Sequence, residues 1–270
     1  MRAWSIVLLG TFVAACADAP VDDATEDLDG DGKADGVMLV SKRRRLVSVP
    51  CPADDAPMKV AFFDADSTLR VSKSGAVTAN GPTDVNVLPL AARELRRLHD
   101  EGYVIAIVSN QGGIAAGHQT FESAEKALAF TVRQLRRLGG PVNWFDFAEK
   151  NDRFRKPNIG MAELLESRIQ SRCGVGIDRT NSLMVGDSGY KRGVDGPHPD
   201  GRPADDFSNA DRGFAENFGI PFHEPTDYFG WRAYDVFNIA SQAELSSLVD
   251  AIEVGGDVEE AEQNRLVNGL

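Results

Sequence analysis

Residues 60–69 read VAFFDADSTL, four apolar residues followed by two carboxylates one residue apart, Asp64 and Asp66. A short apolar run of this kind reads as a buried strand that the chain leaves through a polar turn. Two carboxylates so close repel each other and call for protons or a cation. The same punctuation recurs downstream. Val104–Val108 runs into Ser109, Asn110, Gln111 and two glycines, and Ser182–Val185 ends in Gly186 and Asp187. A further strand over Asn143–Phe147 is followed by RFRKPNIG, which sets Lys156 beside Pro157 at the start of a helix, where the backbone itself favours anions.

Segments of helical period separate these strands: Leu88–Leu98, Phe121–Leu138, Ile159–Ile169 and Ala210–Phe218. Strand alternating with helix predicts an α/β fold, a Rossmann-like parallel sheet with helices on both faces. Such a sheet binds ligands at the carboxyl ends of its strands, where Asp64, Asp66, Ser109, Asn110 and Asp187 all fall. A hard ion such as Mg²⁺ takes carboxylate oxygens and leaves positions for a substrate phosphate. Ser109, Asn110 and the amides after them can donate to phosphate oxygens. Each element alone is an ordinary turn or cap; their order carries the signal.

That order resembles the haloacid dehalogenase superfamily of phosphatases, with DADST for DxDxT, Ser109 for its hydroxyl residue, Lys156 for its lysine and Gly186-Asp187 for its acidic motif. Ser67 stands where glycine is commoner, and a residue this small is expected to keep the turn. FFDADSTLRVSKSGAVTANGPTDVNVLP, VIAIVSNQGGIAAG, RKPNIGM and DFSNADRGFAENFGIPFHEPTDYF extend the resemblance to the phosphatase domains of the polynucleotide kinase 3′-phosphatase family, over roughly Lys59 to Phe229. No GxxxxGK[ST] phosphate loop occurs, so only dephosphorylation carries over. The resemblance implies Asp64 as nucleophile, Asp66 as general acid and base, and Ser109, Asn110 and Lys156 on the phosphoryl oxygens. It also implies Mg²⁺ on Asp64, Asp187 and the backbone carbonyl of Asp66. Asp211 matches a second acidic position, open between a helix-start carboxylate and a partner of Lys156 or of a metal-bound water.

Residues 70–82 are polar, contain Gly75 and Gly81, and fit a short hairpin without a large cap domain. The 188–209 loop is long and rich in Gly, Pro and Asp, and loops of that size are functional or disordered.

The flanks read differently. Residues 1–16, MRAWSIVLLGTFVAAC, have the form of a bacterial lipoprotein signal peptide ending at a lipobox cysteine, which implies export and a lipid anchor on Cys16. Ordinary cleavage with an incidental cysteine is the alternative. Residues 17–45 then read as an acidic tether, 46–254 as the phosphatase domain and 255–270 as an acidic tail. Of the net charge of −12, −7 falls on residues 17–36, so the acidity does not forbid a polyanionic ligand at the domain. Asp27, Asp29, Asp31 and Asp35 have the spacing of a calcium loop, but position 12 is Met38, leaving at most a weak Ca²⁺ site. For Cys51 and Cys173 a disulfide is chemically permitted in an exported protein, and two buried free thiols serve equally well.

His99, His118, His198 and His223 need no role in this chemistry and are expected on the surface. Arg96, Arg97, Arg136 and Arg137 read as solvated helix faces, and Trp144, Phe154, Tyr190 and Trp231 as core or base-stacking rings. No protein partner is evident. Three functions fit: removal of 3′-phosphates from nucleic-acid ends, hydrolysis of sugar or nucleotide monophosphates, and a non-enzymatic surface lipoprotein. The intact acidic and basic set disfavours the last.

Overall fold

The computed structural model describes residues 44–47 and 49–230. The Cys16 lipobox, the Asp27–Asp35 spacing, nearly all of the acidic tether, Trp231 and the acidic tail lie outside them. Among the described residues no helix is long and apolar enough to cross a membrane.

Five strands form one sheet in the order β5-β4-β1-β6-β7, with every pairing parallel. They are β1 (Val60–Phe63), β4 (Val104–Asn110), β5 (Trp144–Ala148), β6 (Leu183–Val185) and β7 (Phe222–His223). After β1 the chain builds outward through β4 and β5, then returns to the other side of β1. The site expected from the sequence lies at this reversal. All four residues of β1 are buried and alternate between faces, as a strand covered on both sides must. Ala61 and Phe63 pack with α1 (Pro89–Asp100) and α2 (Phe121–Arg137). Val60 and Phe62 pack with α3 (Gly160–Cys173) and α4 (Ala210–Phe218), where Phe62 meets Phe214 and Phe218 edge to face. The doubly covered parallel sheet is the one the apolar runs predict.

The chain after β1 forms a hairpin of β2 (Arg70–Val71) with β3 (Asn86–Val87). Its return strand lies beyond Pro82, further along than the sequence indicates. No second folded domain interrupts the described residues there. The sequence also gave no sign of β7 or of α5 (Pro225–Phe229), each too short for a periodic signal.

Cys51 and Cys173 are joined in a disulfide that ties the segment before β1 to the end of α3, with Cα atoms 5.2 Å apart and a sequence separation of 122. Cys51 is exposed, so the alternative of two buried thiols does not hold. Closing so long a loop restricts the unfolded chain. Reduction, or Cys51→Ser with Cys173→Ser, is expected to cost about 2–4 kcal/mol. Urea midpoints with and without reductant measure it, and coincident midpoints would show that the bridge contributes nothing.

Candidate active site

β1 ends at Phe63 and delivers Asp64, whose N–H donates to the Val185 carbonyl of β6 at 2.9 Å. The turn that follows reverses the chain at Ser67, which adopts φ of 61°. In the left-handed region a side chain costs about 1–2 kcal/mol, so the serine keeps the turn at a price that glycine avoids. Leu69 and Arg70 N–H both donate to the Ala65 carbonyl, closing the turn and holding Asp66 at its rim.

Lys156 reaches this point from the loop between β5 and α3 and is buried. Its Nζ lies 2.5 Å from Asp64 Oδ1, 2.6 Å from Asp211 Oδ1 and 2.6 Å from the Val108 carbonyl at the end of β4. Asn110 grips the same lysine by its backbone: the Lys156 N–H donates to Asn110 Oδ1 at 2.9 Å, and Asn110 Nδ2 donates to the Lys156 carbonyl at 3.0 Å. The Asn110 side chain, expected among the phosphate donors, is thus engaged in placing the lysine.

Asp211 enters in the first turn of α4, where the helix dipole favours a carboxylate. It is buried, and Oδ2 accepts the Ser188 N–H at 3.1 Å. Two glycines permit this approach. A Cβ on Gly186 would collide with the Asp211 carboxylate, and one on Gly213 would meet Pro157 Cβ at 2.8 Å. Of its two sequence readings, Asp211 therefore takes the partner of Lys156.

Carboxylate oxygens of Asp64, Asp187 and Asp211 lie within 4.8 Å of one another. One lysine cannot neutralise three carboxylates, and the imbalance shows in the acidity of Asp64 and Asp187. Burial, with Asp211 and Asp66 nearby, pushes Asp64 up to about 7 despite Lys156. Burial and the charges of Asp64 and Asp211 hold Asp187 well above the usual carboxylate range. Burial alone would lower Lys156, but Asp211 and Asp64 together hold it above the ordinary lysine value. A hard divalent cation fits a partly exposed, all-oxygen cluster with excess negative charge.

Asp66 has partners the sequence reading missed. Arg70, one residue past the turn, is almost fully buried and holds Asp66 through both oxygens, Nε to Oδ1 at 2.8 Å and Nη2 to Oδ2 at 3.2 Å. Its Nη1 donates to Thr131 Oγ1 in α2 at 2.9 Å. Gln111 Nε2 donates to Asp66 Oδ2 and to Ser109 Oγ, both at 2.9 Å, linking the two expected site residues. An arginine between Leu69 and Val71 was the available sign. Arg70→Met removes this clamp; kcat is expected to fall about 10-fold to 100-fold with little change in KM, if orientation of Asp66 limits proton transfer. A change confined to KM would show instead that Arg70 serves substrate binding.

The family model for polynucleotide kinase 3 phosphatase matches residues 59–229, which carry every one of these residues. The chain belongs to that family. Its members are phosphoric monoester hydrolases on the haloacid dehalogenase fold, as the motif order implies. A polynucleotide 3′-phosphatase of Arabidopsis thaliana is 28% identical over 63% of this chain and 24% of its own length. The bifunctional polynucleotide phosphatase/kinase of Schizosaccharomyces pombe is 32% identical over 63% of this chain and 37% of its own. The chain thus spans well under half the length of these two relatives. A had-like phosphatase structure from Mesorhizobium loti shares the fold, with a TM-score of 0.50 at 18% identity over 80% of this chain and 94% of that one.

The other expectations resolve simply. Trp144 is a core ring, Phe154 lies under the guanidinium groups of Arg44 and Arg153, and Tyr190 lies tilted against the His198 ring. Arg97 pairs with Glu94 and Glu101 on the α1 surface, and Arg136 is exposed, with Nη2 on the Val142 carbonyl. His198 departs from expectation by being buried.

Proposed function

We propose that this protein is a divalent-metal-dependent phosphomonoesterase that removes 3′-phosphates from nucleic-acid ends. The reading rests on one observation: Asp64, Asp187, Asp211 and Lys156 converge at the strand-order reversal, inside the segment that the family spans. Asp64 attacks phosphorus, forming an aspartyl-phosphate as the bond to the 3′ oxygen breaks. Asp66 gives its proton to that departing oxygen, then takes one from the water that hydrolyses the intermediate. Lys156 and Ser109 hold the phosphoryl oxygens in line for attack. Asp64, Asp187 and the Asp66 carbonyl would hold Mg²⁺, which offsets the repulsion between an anionic nucleophile and an anionic substrate.

Two features support a polymer end. Among the described residues only the short hairpin lies between β1 and α1, with no cap domain to enclose a small substrate. Beside the catalytic lysine, the Arg155 guanidinium lies against Gly112 in the loop after β4, where a Cβ would meet Nη1 at 3.1 Å. Among the described residues it has no carboxylate partner, leaving a cation free for a second phosphate. A heptose bisphosphate phosphatase of Thermoplasma volcanium, 29% identical over 48% of this chain and 86% of its own, keeps the sugar phosphate reading in the test. kcat/KM is expected to be highest for an oligonucleotide with a 3′-phosphate, lower for a nucleoside 3′-monophosphate, and lowest for 5′-phosphorylated ends and sugar phosphates. Arg155→Ala should raise KM for the oligonucleotide alone. Equal values across the panel would reject end specificity.

The export reading rests on the leader, and the Cys51–Cys173 disulfide supports it, because such bonds persist in oxidising compartments.

A further inference from the structure

His198, in the middle of the 188–209 loop, Asp206 near its end, and Glu224, which precedes α5, offer donor atoms that all lie within 4.8 Å of one another. None belongs to the carboxylate cluster above. His198 is 5% exposed and Glu224 7%. His198 Nδ1 stands 3.0 Å from Glu224 Oε1, yet that oxygen accepts no hydrogen bond. With the ring proton on Nε2, Nδ1 and Oε1 are both acceptors away from water, and a cation shared between them relieves their approach.

The surroundings are those of a coordinated imidazole. The other ring nitrogen, Nε2, is also buried without a hydrogen-bond partner and faces Asp205 Oδ1 at 3.7 Å. A carboxylate beyond the distal ring nitrogen is the usual means of orienting a metal-bound histidine. Glu224 meets Arg202 only through Oε2, at 3.3 Å, which turns Oε1 inward. Asp206 accepts the N–H groups of Gly189 and Tyr190 through Oδ2, at 2.9 and 2.7 Å, which fixes its carboxylate in place.

We propose that His198, Asp206 and Glu224 bind a divalent transition-metal ion of the zinc class. One nitrogen and two carboxylate oxygens suit Zn²⁺, with water at a fourth position, whereas Mg²⁺ prefers oxygen donors alone. The ion ties the loop to the junction of β7 and α5. The loop begins directly after Asp187 and ends two residues before Asp211, so fixing its middle holds both carboxylates of the neighbouring site in register.

The test uses the full chain stripped with chelator and titrated with Zn²⁺ or Co²⁺ in excess Mg²⁺. Wild type and Asp187→Asn should each bind one tight equivalent and give intense tetrahedral Co²⁺ bands. His198→Gln should lose that equivalent or bind it at least about 100-fold more weakly. At a hundredfold excess of Zn²⁺ over its Kd, wild type should melt about 5–10 °C higher, with no such rise in His198→Gln. Equal stoichiometry and equal Co²⁺ spectra in wild type and His198→Gln overturn the proposal. Should that variant not fold, X-ray absorption at the zinc edge of Asp187→Asn decides: imidazole nitrogen in the shell supports the site, and oxygen alone overturns it.

Discussion

Asp64→Asn is expected to lower turnover by at least about 10⁴-fold while making the metal-free protein more stable at neutral pH. The first effect follows from the proposed nucleophilic role, because asparagine lacks the carboxylate charge while preserving side-chain volume. The second follows from the crowding of charge. With Asp64 at about 7 in the folded chain against an ordinary value of 3.8, the folded state binds more protons than the unfolded one between about pH 4 and 7. Stability of the metal-free chain from this group therefore falls as pH rises through that window. Asparagine cannot ionise, so the variant escapes the loss. Melting curves in EDTA at pH 4.5 and pH 8 measure the difference between the two proteins, which should widen in favour of the variant at the higher pH. Added Mg²⁺ should close the gap by stabilising wild type more. Near-normal turnover in the variant would refute the covalent route, and a pH-independent difference would refute the electrostatic account.

The residues of this site that the sequence reveals share one property: each sits where an apolar run stops. Asp64 follows FF, Ser109 follows IV and Gly186-Asp187 follows MV, so burial of the strand fixes the position of the polar residue. Lys156 and Asp211 are marked by the helix starts beside them. What could not be read depends on contacts between distant segments with no periodic trace. Arg70 meets Thr131 61 residues away, and Cys51 meets Cys173 across 122. His198 reads as a surface histidine because the loop around it is polar; the Tyr190 ring and the return of the chain at Glu224 cover it. The strand-end positions of the motif are therefore legible, and the groups that orient them are not. Asn110 shows the same limit: it ends β4, as the apolar run indicates, but its side chain serves Lys156.

Lys156→Met should remove both stability and catalysis, through separable causes. The lysine ammonium stands between Asp64 Oδ1 at 2.5 Å and Asp211 Oδ1 at 2.6 Å, all three groups buried. Removing it leaves two carboxylates facing each other without a cation, and breaking a buried pair in this way costs about 3–5 kcal/mol. Because Asp211 and Asp64 raise Lys156 above its ordinary value, its contribution is complete throughout the neutral range and is lost only as pH rises through the elevated folded value. The deficit in the variant should shrink toward pH 5 as Asp64 takes up a proton, and Mg²⁺ should reduce it at pH 8 by supplying the missing charge. Catalysis should not recover in parallel. If Lys156 holds a phosphoryl oxygen as proposed, losing its ammonium donor costs about 10²- to 10³-fold in kcat, which a metal ion on the carboxylates would not replace. Lys156→Arg tests the geometry, since the planar guanidinium cannot reach both carboxylates and the Val108 carbonyl from one atom as Nζ does. Full kcat in Mg²⁺-stabilised Lys156→Met would confine the lysine to holding the carboxylates apart, and would move phosphoryl binding to Ser109 and the amides that follow β4.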